Sequence, residues 1–263
     1  MCAWNAADYN QNSANQQRWA RELIAKLDLK GNERILDIGC GDGKVTAEIA
    51  SYVPNGSVLG IDNSENMINF AQSQFPATNF PNLTFQQKDA LQLNFYNEFD
   101  VIVSFACLHW VSDHLPVLAG IKNSLKSSGR ILLQMGGKGN ALTIGRVTEK
   151  VIYSDKWSKY FENFSFKTRF FSNDEYKDLL KNTGLKAQRV ELIPTEMIHQ
   201  GKEEVQGWIR TVGSPNYVCR VPEDLQSEMI TEIVDAYLES YPLDSEGFAR
   251  VPMIRLEVAA TKV

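Results

Sequence analysis

The stretch of the chain at residues 34–44 constrains the fold more than any other. It reads RILDIGCGDGK, a short apolar run that contains one carboxylate, Asp37, and then a glycine-rich turn. The glycines stand at alternate positions: Gly39, Gly41 and Gly43. Residues 44–52 follow with apolar side chains at helical spacing, so the order is strand, turn and helix. Because glycine adopts positive φ freely and has no Cβ to hold a ligand away from the backbone, this order predicts a ligand cradle at the carboxyl end of a strand.

The spacing of the glycines and a second carboxylate indicate which ligand the cradle holds. A dinucleotide-binding turn has the spacing G-x-G-x-x-G, whereas this chain has G-x-G-x-G, with Asp37 two residues before the first glycine. The next apolar run, 57–61, is followed by Asp62, where a carboxylate can accept hydrogen bonds from two ribose hydroxyls. An ordinary strand-to-helix turn of another Rossmann-like protein is the alternative interpretation.

The stretch resembles motif I of the class I S-adenosylmethionine (SAM)-dependent methyltransferases, whose common form is hh-D-h-G-C-G-x-G. The resemblance implies SAM as cofactor and S-adenosylhomocysteine as product. It implies that the turn binds the amino-acid end of SAM, that the second strand ends at the ribose, and that the third strand ends at the adenine. The residues implied to bind the cofactor are Asp37, Gly39, Cys40, Gly41, Asp62, Asn63, Met67, Asp89, Ala90 and Phe105. For Asp89, a solvated turn acid is the alternative.

The remaining pattern predicts the fold class. Residues 34–135 alternate between strand and helix, which is typical of right-handed crossovers and a parallel sheet. Strands are expected at 34–38, 57–61, 83–87, 100–105, 130–134, 185–195 and 252–261. We therefore expect an α/β fold, a Rossmann-like, doubly wound, mostly parallel seven-stranded sheet.

Helices and a cap complete the expected architecture. Helices are expected at 13–27, 44–52, 64–74, 115–126, 140–153, 172–182, 205–212 and 223–241. We expect a single methyltransferase domain over 1–263, with a core at about 31–137, 172–196 and 252–263. A helical cap would be built from the N-terminus and insertions, at about 1–30, 138–171 and 197–251. The aromatic segment 157–171 fits the core of such a cap, and the cover of an active site would have the same composition.

A second resemblance concerns the methyl acceptor. The segment CLHWV at 107–111 follows the fourth strand, and Tyr9, Ser13 and Gln16 form a pattern near the N-terminus. Together with the glycine turn, these features resemble a subgroup of small-molecule carboxyl methyltransferases that includes the trans-aconitate and juvenile hormone acid methyltransferases. The resemblance covers residues from about 5 to 135.

The subgroup implies which residues bind the acceptor. There, a glutamine of the N-terminal segment and the tryptophan of the C-L-H-W segment hold the acceptor carboxylate, which implies these roles for Gln16 and Trp110. Gln17 is an adjacent candidate for the first role. His109 could be a base, a ligand of the acceptor, or a packed side chain. In this chain the candidate catalytic residues are therefore Trp110, Gln16 and His109.

The expected function follows from these residues. A carboxylate is already ionised at neutral pH, so its attack on a methyl group needs no strong general base. We expect a SAM-dependent methyltransferase that acts on a small molecule, by O-methylation of a carboxylate on a trans-aconitate-like or other small organic or fatty acid. The alternatives are a small-molecule N- or C-methyltransferase, and a cofactor-binding pseudo-enzyme without methyl transfer.

Composition limits the other partners. A net charge of −5 argues against a nucleic-acid partner, and no apolar run reaches membrane-spanning length. The N-terminus lacks the features of a secretory signal, and the 4 cysteines contain no C-x-x-C pair, so we expect reduced thiols in a cytoplasmic protein. The 3 histidines have no metal-type companions, so we expect no metal. The expected oligomeric state is a monomer or homodimer.

Overall fold

The structure is a computed structural model and describes residues 5–164, 169–213 and 215–262. The chain divides into two compact units. The larger comprises residues 16–138, 168–193 and 255–263, and the smaller comprises residues 1–15, 139–167 and 194–254. The assignment of segments to a catalytic core and a cap stays a prediction, and parts of its cap segments, residues 1–4 and 165–168, lie outside the described residues.

The described residues form a seven-stranded sheet in the order β3-β2-β1-β4-β5-β7-β6. Its strands are β1 (Arg34–Ile38), β2 (Ser57–Asp62), β3 (Leu83–Gln87), β4 (Phe99–Phe105), β5 (Leu125–Gly136), β6 (Leu185–Gln200) and β7 (Phe248–Lys262). Strand β1 pairs in parallel with β2 and β4, β2 with β3, and β4 with β5. Strand β7 is antiparallel to β5. The mostly parallel, seven-stranded sheet is therefore confirmed.

The described helices surround this sheet or belong to the smaller unit. They are α1 (Ala6–Asn12), α2 (Ala14–Ile24), α3 (Lys44–Tyr52), α4 (Glu65–Gln74), α5 (His114–Ser124), α6 (Leu142–Ile152), α7 (Asn173–Thr183), α8 (Gly201–Trp208), α9 (Pro215–Val218) and α10 (Glu223–Ser240). Helix α8 begins earlier than expected and continues as a π-helix over Ile209–Gly213. The short helices α1 and α9 were not expected from the sequence.

Local capping explains where two of these helices begin and end. The Oγ of Ser64 accepts the backbone N–H of Met67 and starts α4. At α7, Ser172 and Glu175 form a reciprocal capping box, in which each side chain binds the backbone N–H of the other. The helix ends at Gly184, whose φ of 71° is the left-handed conformation that glycine adopts without strain. The helix expected at residues 172–182 is thus confirmed.

Both faces of the sheet are covered in the larger unit. One face packs under α2, α3 and α4 with a core that includes Leu23, Ile49 and Val103, all fully buried. The other face packs under α5 and α7 with a core that includes Ile102 and Leu180, also fully buried. Strand β4 is therefore enclosed on both sides, which accounts for its continuous apolar sequence. Rigid central strands give the loops at their carboxyl ends a fixed position.

The smaller unit has its own aromatic core. Trp157 and Phe161 are almost completely buried, and the indole N–H of Trp157 donates to Glu232 at 2.6 Å. Arg210 forms a bidentate ion pair with Asp8, with both N–O distances 2.8 Å. The predicted aromatic patch is thus packed where the structure describes it; Phe166 lies outside the described residues.

The structure describes Cys40, Cys107 and Cys219, whose thiols were expected to be reduced. Cys40 and Cys107 have free thiols, whereas Cys219 is disulfide-bonded, so the prediction of reduced thiols is wrong for Cys219. The pattern that led to the prediction was the lack of closely spaced cysteines, and a disulfide joins residues that are close in space rather than in sequence. None of the helices within residues 5–164, 169–213 and 215–262 is long and apolar enough to cross a membrane.

Candidate active site

The glycine turn between β1 and α3 is as tight as its sequence suggests. Gly39, Gly41 and Gly43 have φ values of 76°, 55° and 83°. A Cβ on Gly39 would lie 2.1 Å from the Sγ of Cys107, and a Cβ on Gly43 would lie 2.8 Å from the Phe85 ring. Both distances are well below a normal contact, so at these two positions only glycine allows the turn to pack against its neighbours.

Asp62 at the end of β2 supports this turn. Its Oδ2 accepts the backbone N–H of Gly41 at 3.0 Å, and its Oδ1 accepts the backbone N–H of Ser64 at 2.9 Å. Burial raises the pKa of Asp62, and these backbone donors oppose the increase. Because each carboxylate oxygen has a second lone pair, the side chain keeps the capacity to accept from a ligand.

A second carboxylate lies beneath the turn. Asp37 is 2% exposed, and its Oδ2 accepts the hydroxyl of Thr46 at 2.7 Å. Burial raises its pKa to about 7, Thr46 opposes the increase, and the charge of Asp62 adds to it. Two neighbouring carboxylates, one buried and one half-buried, favour a positively charged ligand, since a cation would relieve their mutual repulsion.

An open cleft of about 850 Å³ lies beside the ends of β2 and β3. Asn63, Lys88 and Asp89 are among its lining residues. Asp89 also begins the 3₁₀ turn Ala90–Gln92, where its Oδ1 accepts the N–H of Leu91 at 2.9 Å. Met67 is buried on α4, whereas Asn63 is exposed. Two of the residues expected at the adenine, Asn63 and Asp89, therefore line the same cleft.

The expected acceptor residues lie on a short turn after β4. Phe105, which ends β4, is buried, and a 3₁₀ turn covers Leu108–Trp110. The Nδ1 of His109 accepts the backbone N–H of Gly136 at 3.4 Å. The ring of Trp110 lies 5.0 Å from that of His109. The structure thus brings His109 and Trp110 together at the carboxyl end of β4.

Desolvation determines the charge of His109. Burial, and to a smaller extent the charge of His114, lower the pKa of His109 to about 4. The imidazole is therefore neutral near pH 7, and since its Nδ1 accepts a hydrogen bond, its proton is on Nε2. At this position His109 is a hydrogen-bond donor to its surroundings.

Comparisons with known proteins agree with this geometry. The sequence profile of a family described as "Methyltransferase domain" matches residues 29–184, more than half of the chain. The chain belongs to this methyltransferase family. The trans-aconitate 2-methyltransferase of Variovorax paradoxus (strain S110) is 28% identical over 268 residues, covering 100% of this chain and 99% of that protein.

Two further similarities extend the comparison. The putative methyltransferase 235L of Invertebrate iridescent virus 6 is 28% identical over 190 residues, covering 72% of this chain and 69% of that protein. A solved structure of geranyl diphosphate methyltransferase in complex with SAM has a TM-score of 0.57 at 17% identity, covering 94% of this chain and 85% of that one. The protein is a SAM-dependent methyltransferase with a Rossmann-like fold.

The residues of this methyltransferase fit its cofactor. SAM carries positive charge at its sulfonium and ammonium groups, which suits a site with two neighbouring carboxyl groups, the buried Asp37 and the half-buried Asp62. Gly41, whose φ of 55° is positive, leaves this part of the turn without a side chain that could hold a ligand away from the backbone. Cys40 is buried within the turn and, with a pKa well above its usual range because of burial, is an uncharged neighbour.

Gln16 is placed by the way α2 lies over the methyltransferase sheet. Lys26, just after α2, contacts Glu257 at 3.3 Å, and Arg255 lies 5.3 Å from the ring of Trp19 on α2. Arg255 pairs with Gly136, the last residue of β5. The N-terminal part of α2 therefore lies near the carboxyl end of β5. Gln16 lies about one turn before Trp19 on α2, and so on the side of the carboxyl ends of the parallel strands.

Gln16 is buried, and its Oε1 has no hydrogen-bond partner among the described residues. Buried polar atoms are rarely left without a partner, so this oxygen suits a group that donates a hydrogen bond to it. Gln17, the adjacent candidate, is only half-buried. The sequence analysis did not single out Thr46, which lies nine residues after Asp37 and donates to it. Nor did it single out Gly136, whose backbone N–H reaches His109 from 27 residues further along the chain.

Proposed function

We propose that this methyltransferase transfers the methyl group of SAM to a carboxylate oxygen of a small organic acid. The supporting observation is the state of His109. Its Nδ1 is occupied by the N–H of Gly136, and its pKa is about 4, so it can donate a hydrogen bond near pH 7 but is poorly suited to remove a proton. A phenol, an alcohol or an ammonium group would have to lose a proton before it attacked, whereas a carboxylate is already ionised.

The relatives support the same class of acceptor. The trans-aconitate 2-methyltransferases of Variovorax paradoxus and Methylobacterium nodulans align with 100% of this chain at 28% and 26% identity. Their names describe a carboxylic acid as substrate. At this level of identity the acids methylated by these proteins and by this chain can differ. The comparison supports a carboxylate as the acceptor group.

In the proposed mechanism, SAM supplies a methyl group on a sulfonium, and the protein positions the two reactants. Asp62 would accept the ribose hydroxyls, the glycine turn would hold the amino-acid end, and Asp89 would accept from the adenine amine. Asn63, Met67 and Ala90 would line the adenine, and Phe105, at the end of β4, would line the reacting end of the site.

On the acceptor side, neutral donors orient the carboxylate. We assign this role to the indole N–H of Trp110, the amide N–H of Gln16 and the Nε2–H of His109. Neutral donors hold a carboxylate without forming an ion pair, which preserves its nucleophilicity. Since the step neutralises opposite charges, positioning and exclusion of water account for catalysis without a general base.

The stability of the methylated product to alkali tests the proposal. The protein is incubated with methyl-labelled SAM and a panel of acids that includes trans-aconitate, simple mono- and dicarboxylates and medium-chain fatty acids. A methyl ester releases labelled methanol on mild alkaline treatment, whereas N-methyl and C-methyl products do not. Base-labile label in the product supports the proposal. Base-stable label would replace it with N- or C-methyl transfer, and cofactor binding without turnover would favour a pseudo-enzyme.

The Trp110→Phe variant tests the acceptor role with the acid found in this way. It retains the aromatic bulk and removes the N–H donor, so kcat/KM should fall by about ten- to a thousandfold while the affinity for SAM stays nearly constant. The melting temperature of the same preparation is the control. A lower melting temperature with normal turnover per folded molecule would show that Trp110 serves only in packing.

A further inference from the structure

A buried hydrogen-bonded pair lies behind the turn that carries His109 and Trp110. His114, the first residue of α5, is 1% exposed, and Tyr176 on α7 is completely buried. The Nε2 of His114 is 2.8 Å from the carbonyl oxygen of Leu108, and its Nδ1 is 3.2 Å from the hydroxyl of Tyr176. Neither residue has a place in the proposed mechanism.

The chemistry of these partners determines the direction of each hydrogen bond. A carbonyl oxygen only accepts, so the Nε2 of His114 donates to Leu108. In a neutral ring the Nδ1 then accepts, so the hydroxyl of Tyr176 donates to it. Burial lowers the pKa of His114, which keeps the ring neutral. The three groups form a chain from α7 through α5 to the first residue of the turn.

The same pair also supports the other side of the turn. The ring of Phe171 lies 4.7 Å from His114 and 5.6 Å from Tyr176. The carbonyl of Phe171 accepts the N–H of Lys138 at 2.9 Å, and Phe171 forms a β-bridge with Gly137. Gly137 follows Gly136, whose N–H contacts His109. The buried pair therefore reaches His109 from two directions, through Leu108 and through Phe171.

We propose that His114 and Tyr176 are positioning residues, which fix the orientation of the Leu108–Trp110 turn and hence of the donors that hold the methyl acceptor. The turn does not need them to close, because the carbonyl of Leu108 also accepts the N–H of Val111 at 2.9 Å. What they add is a link from the turn to α7. Imidazole suits this task because it donates at one edge and accepts at the other within a rigid ring.

The significance of the turn rests on the proposed function, but its orientation can be measured without a substrate. Protein labelled with 5-fluorotryptophan gives a ¹⁹F resonance for Trp110, which is assigned by its disappearance in Trp110→Phe. Tyr176→Phe retains the ring and removes the donor to His114. His114→Leu removes both hydrogen bonds, whereas in His114→Gln the amide N–H can still reach the carbonyl of Leu108.

A matched control is available on the same helix. Ser124 at the end of α5 is completely buried, and its hydroxyl donates to the carbonyl of Gly120 at 2.7 Å. Ser124→Ala therefore also removes a buried hydrogen bond to a backbone carbonyl, but away from the turn. We expect it to lower the melting temperature and leave the Trp110 resonance and kcat/KM unchanged.

The expected result separates positioning from stability. Tyr176→Phe and His114→Leu should shift or broaden the Trp110 resonance, and kcat/KM for the acceptor should fall about tenfold while the Kd of SAM changes less than twofold. His114→Gln should restore most of the signal. If Tyr176→Phe and His114→Leu behave like Ser124→Ala, the inference is wrong. If no acid is methylated, the proposed function fails, and the ¹⁹F spectra still decide whether the pair orients the turn.

Discussion

Asp62 combines two roles in one side chain. It braces the glycine turn through the N–H of Gly41, and we propose that its remaining lone pairs bind the ribose of SAM. Asp62→Ala should therefore weaken SAM binding by about 2–4 kcal/mol, roughly thirty- to a thousandfold in Kd, since a charged acceptor with two partners is lost. Calorimetry measures this directly.

The control is Asp100, a carboxylate near the amino end of β4 and thus at the opposite ends of the strands from Asp62. Asp100 at the start of β4 likewise accepts a backbone N–H, from Arg34 at 2.8 Å. Asp100→Ala should cost stability but leave the affinity for SAM within a factor of two. Unchanged affinity in a folded Asp62→Ala protein would exclude Asp62 as the ribose acceptor.

The raised pKa of Asp37 predicts how the stability of the fold depends on pH. Its pKa is about 7 in the folded protein, against an ordinary value of 3.8, so the folded state binds the proton more tightly than the unfolded state does. The contribution of this group to stability is therefore fully present below pH 4 and is lost as the pH rises through about 7. Without SAM, the melting temperature should fall more steeply between pH 5 and 8 in the wild type than in Asp37→Asn.

Saturating SAM provides the second arm of this experiment. A cation bound near Asp37 stabilises its ionised form, so the slope of the wild-type melting temperature against pH should decrease when SAM is present. Parallel pH profiles for the wild type and Asp37→Asn, with and without SAM, would mean that Asp37 titrates normally.

At the scale of elements, the glycine turn between β1 and α3 has no room for an added side chain at Gly39. In Gly39→Ala the new Cβ would meet the Sγ of Cys107 at 2.1 Å, at a φ of 76° that alanine adopts only with strain. The turn and the segment after β4 would have to move apart, so SAM affinity should fall at least tenfold and the melting temperature should decrease. Gly145→Ala on α6 is the control, since nothing lies within 4 Å of its Cβ.

That control should leave SAM affinity unchanged and should raise stability by up to about 1 kcal/mol, because alanine favours a helix interior. Near-native SAM binding by Gly39→Ala would show that the turn tolerates a side chain and does not act as a close-fitting cradle.

The elements that the sequence predicted well are those with local causes. Strand β1, the glycine turn and α3 follow from residue types within one segment, and α7 begins at Ser172 with its capping box and ends at Gly184. The start of β5 at Leu125 was missed, because residues 125–129 (LKSSG) lack strand periodicity and pair with β4 through Phe99. Tertiary pairing rather than local preference places that segment.

In the candidate site, too, the sequence predicts the residues that have local causes and misses those that depend on tertiary contacts. Asp37, the glycines and Asp62 could be predicted because the motif puts them at fixed distances along the chain. The state of His109 could not, since it depends on the backbone N–H of Gly136 at the end of another strand. A backbone donor carries no sequence signal. The same holds for Leu108, whose carbonyl binds His114.

At the scale of the whole molecule, Glu257 joins distant parts of the larger unit. This completely buried carboxylate on β7 contacts Arg189 on β6 at 2.6 Å and Lys26, just after α2, at 3.3 Å. Glu257 also lies 3.4 Å from Arg255, so its removal takes away a buried anion shared by three cations. Glu257→Leu should therefore lower the free energy of unfolding by about 3–5 kcal/mol.

An exposed ion pair serves as comparison. Glu98 and Arg34 lie 2.8 Å apart, with 35% and 51% of their side chains exposed. Glu98→Leu should cost less than about 1 kcal/mol, because solvent screens the pair. Urea unfolding of both variants measures the difference, and equal costs would show that the buried carboxylate has no special structural role.

The strand order has a consequence for synthesis on the ribosome. In the sheet, β6 has β7 as its only neighbour, and β7 also completes the exposed edge of β5. Residues 201–247 must be translated between these two strands. Throughout that interval the nascent chain carries two unpaired strand edges, a state in which β-structure recruits other chains. We therefore expect the growing polypeptide to be most prone to aggregation while residues 201–247 are translated, after strands β1 to β5 have emerged.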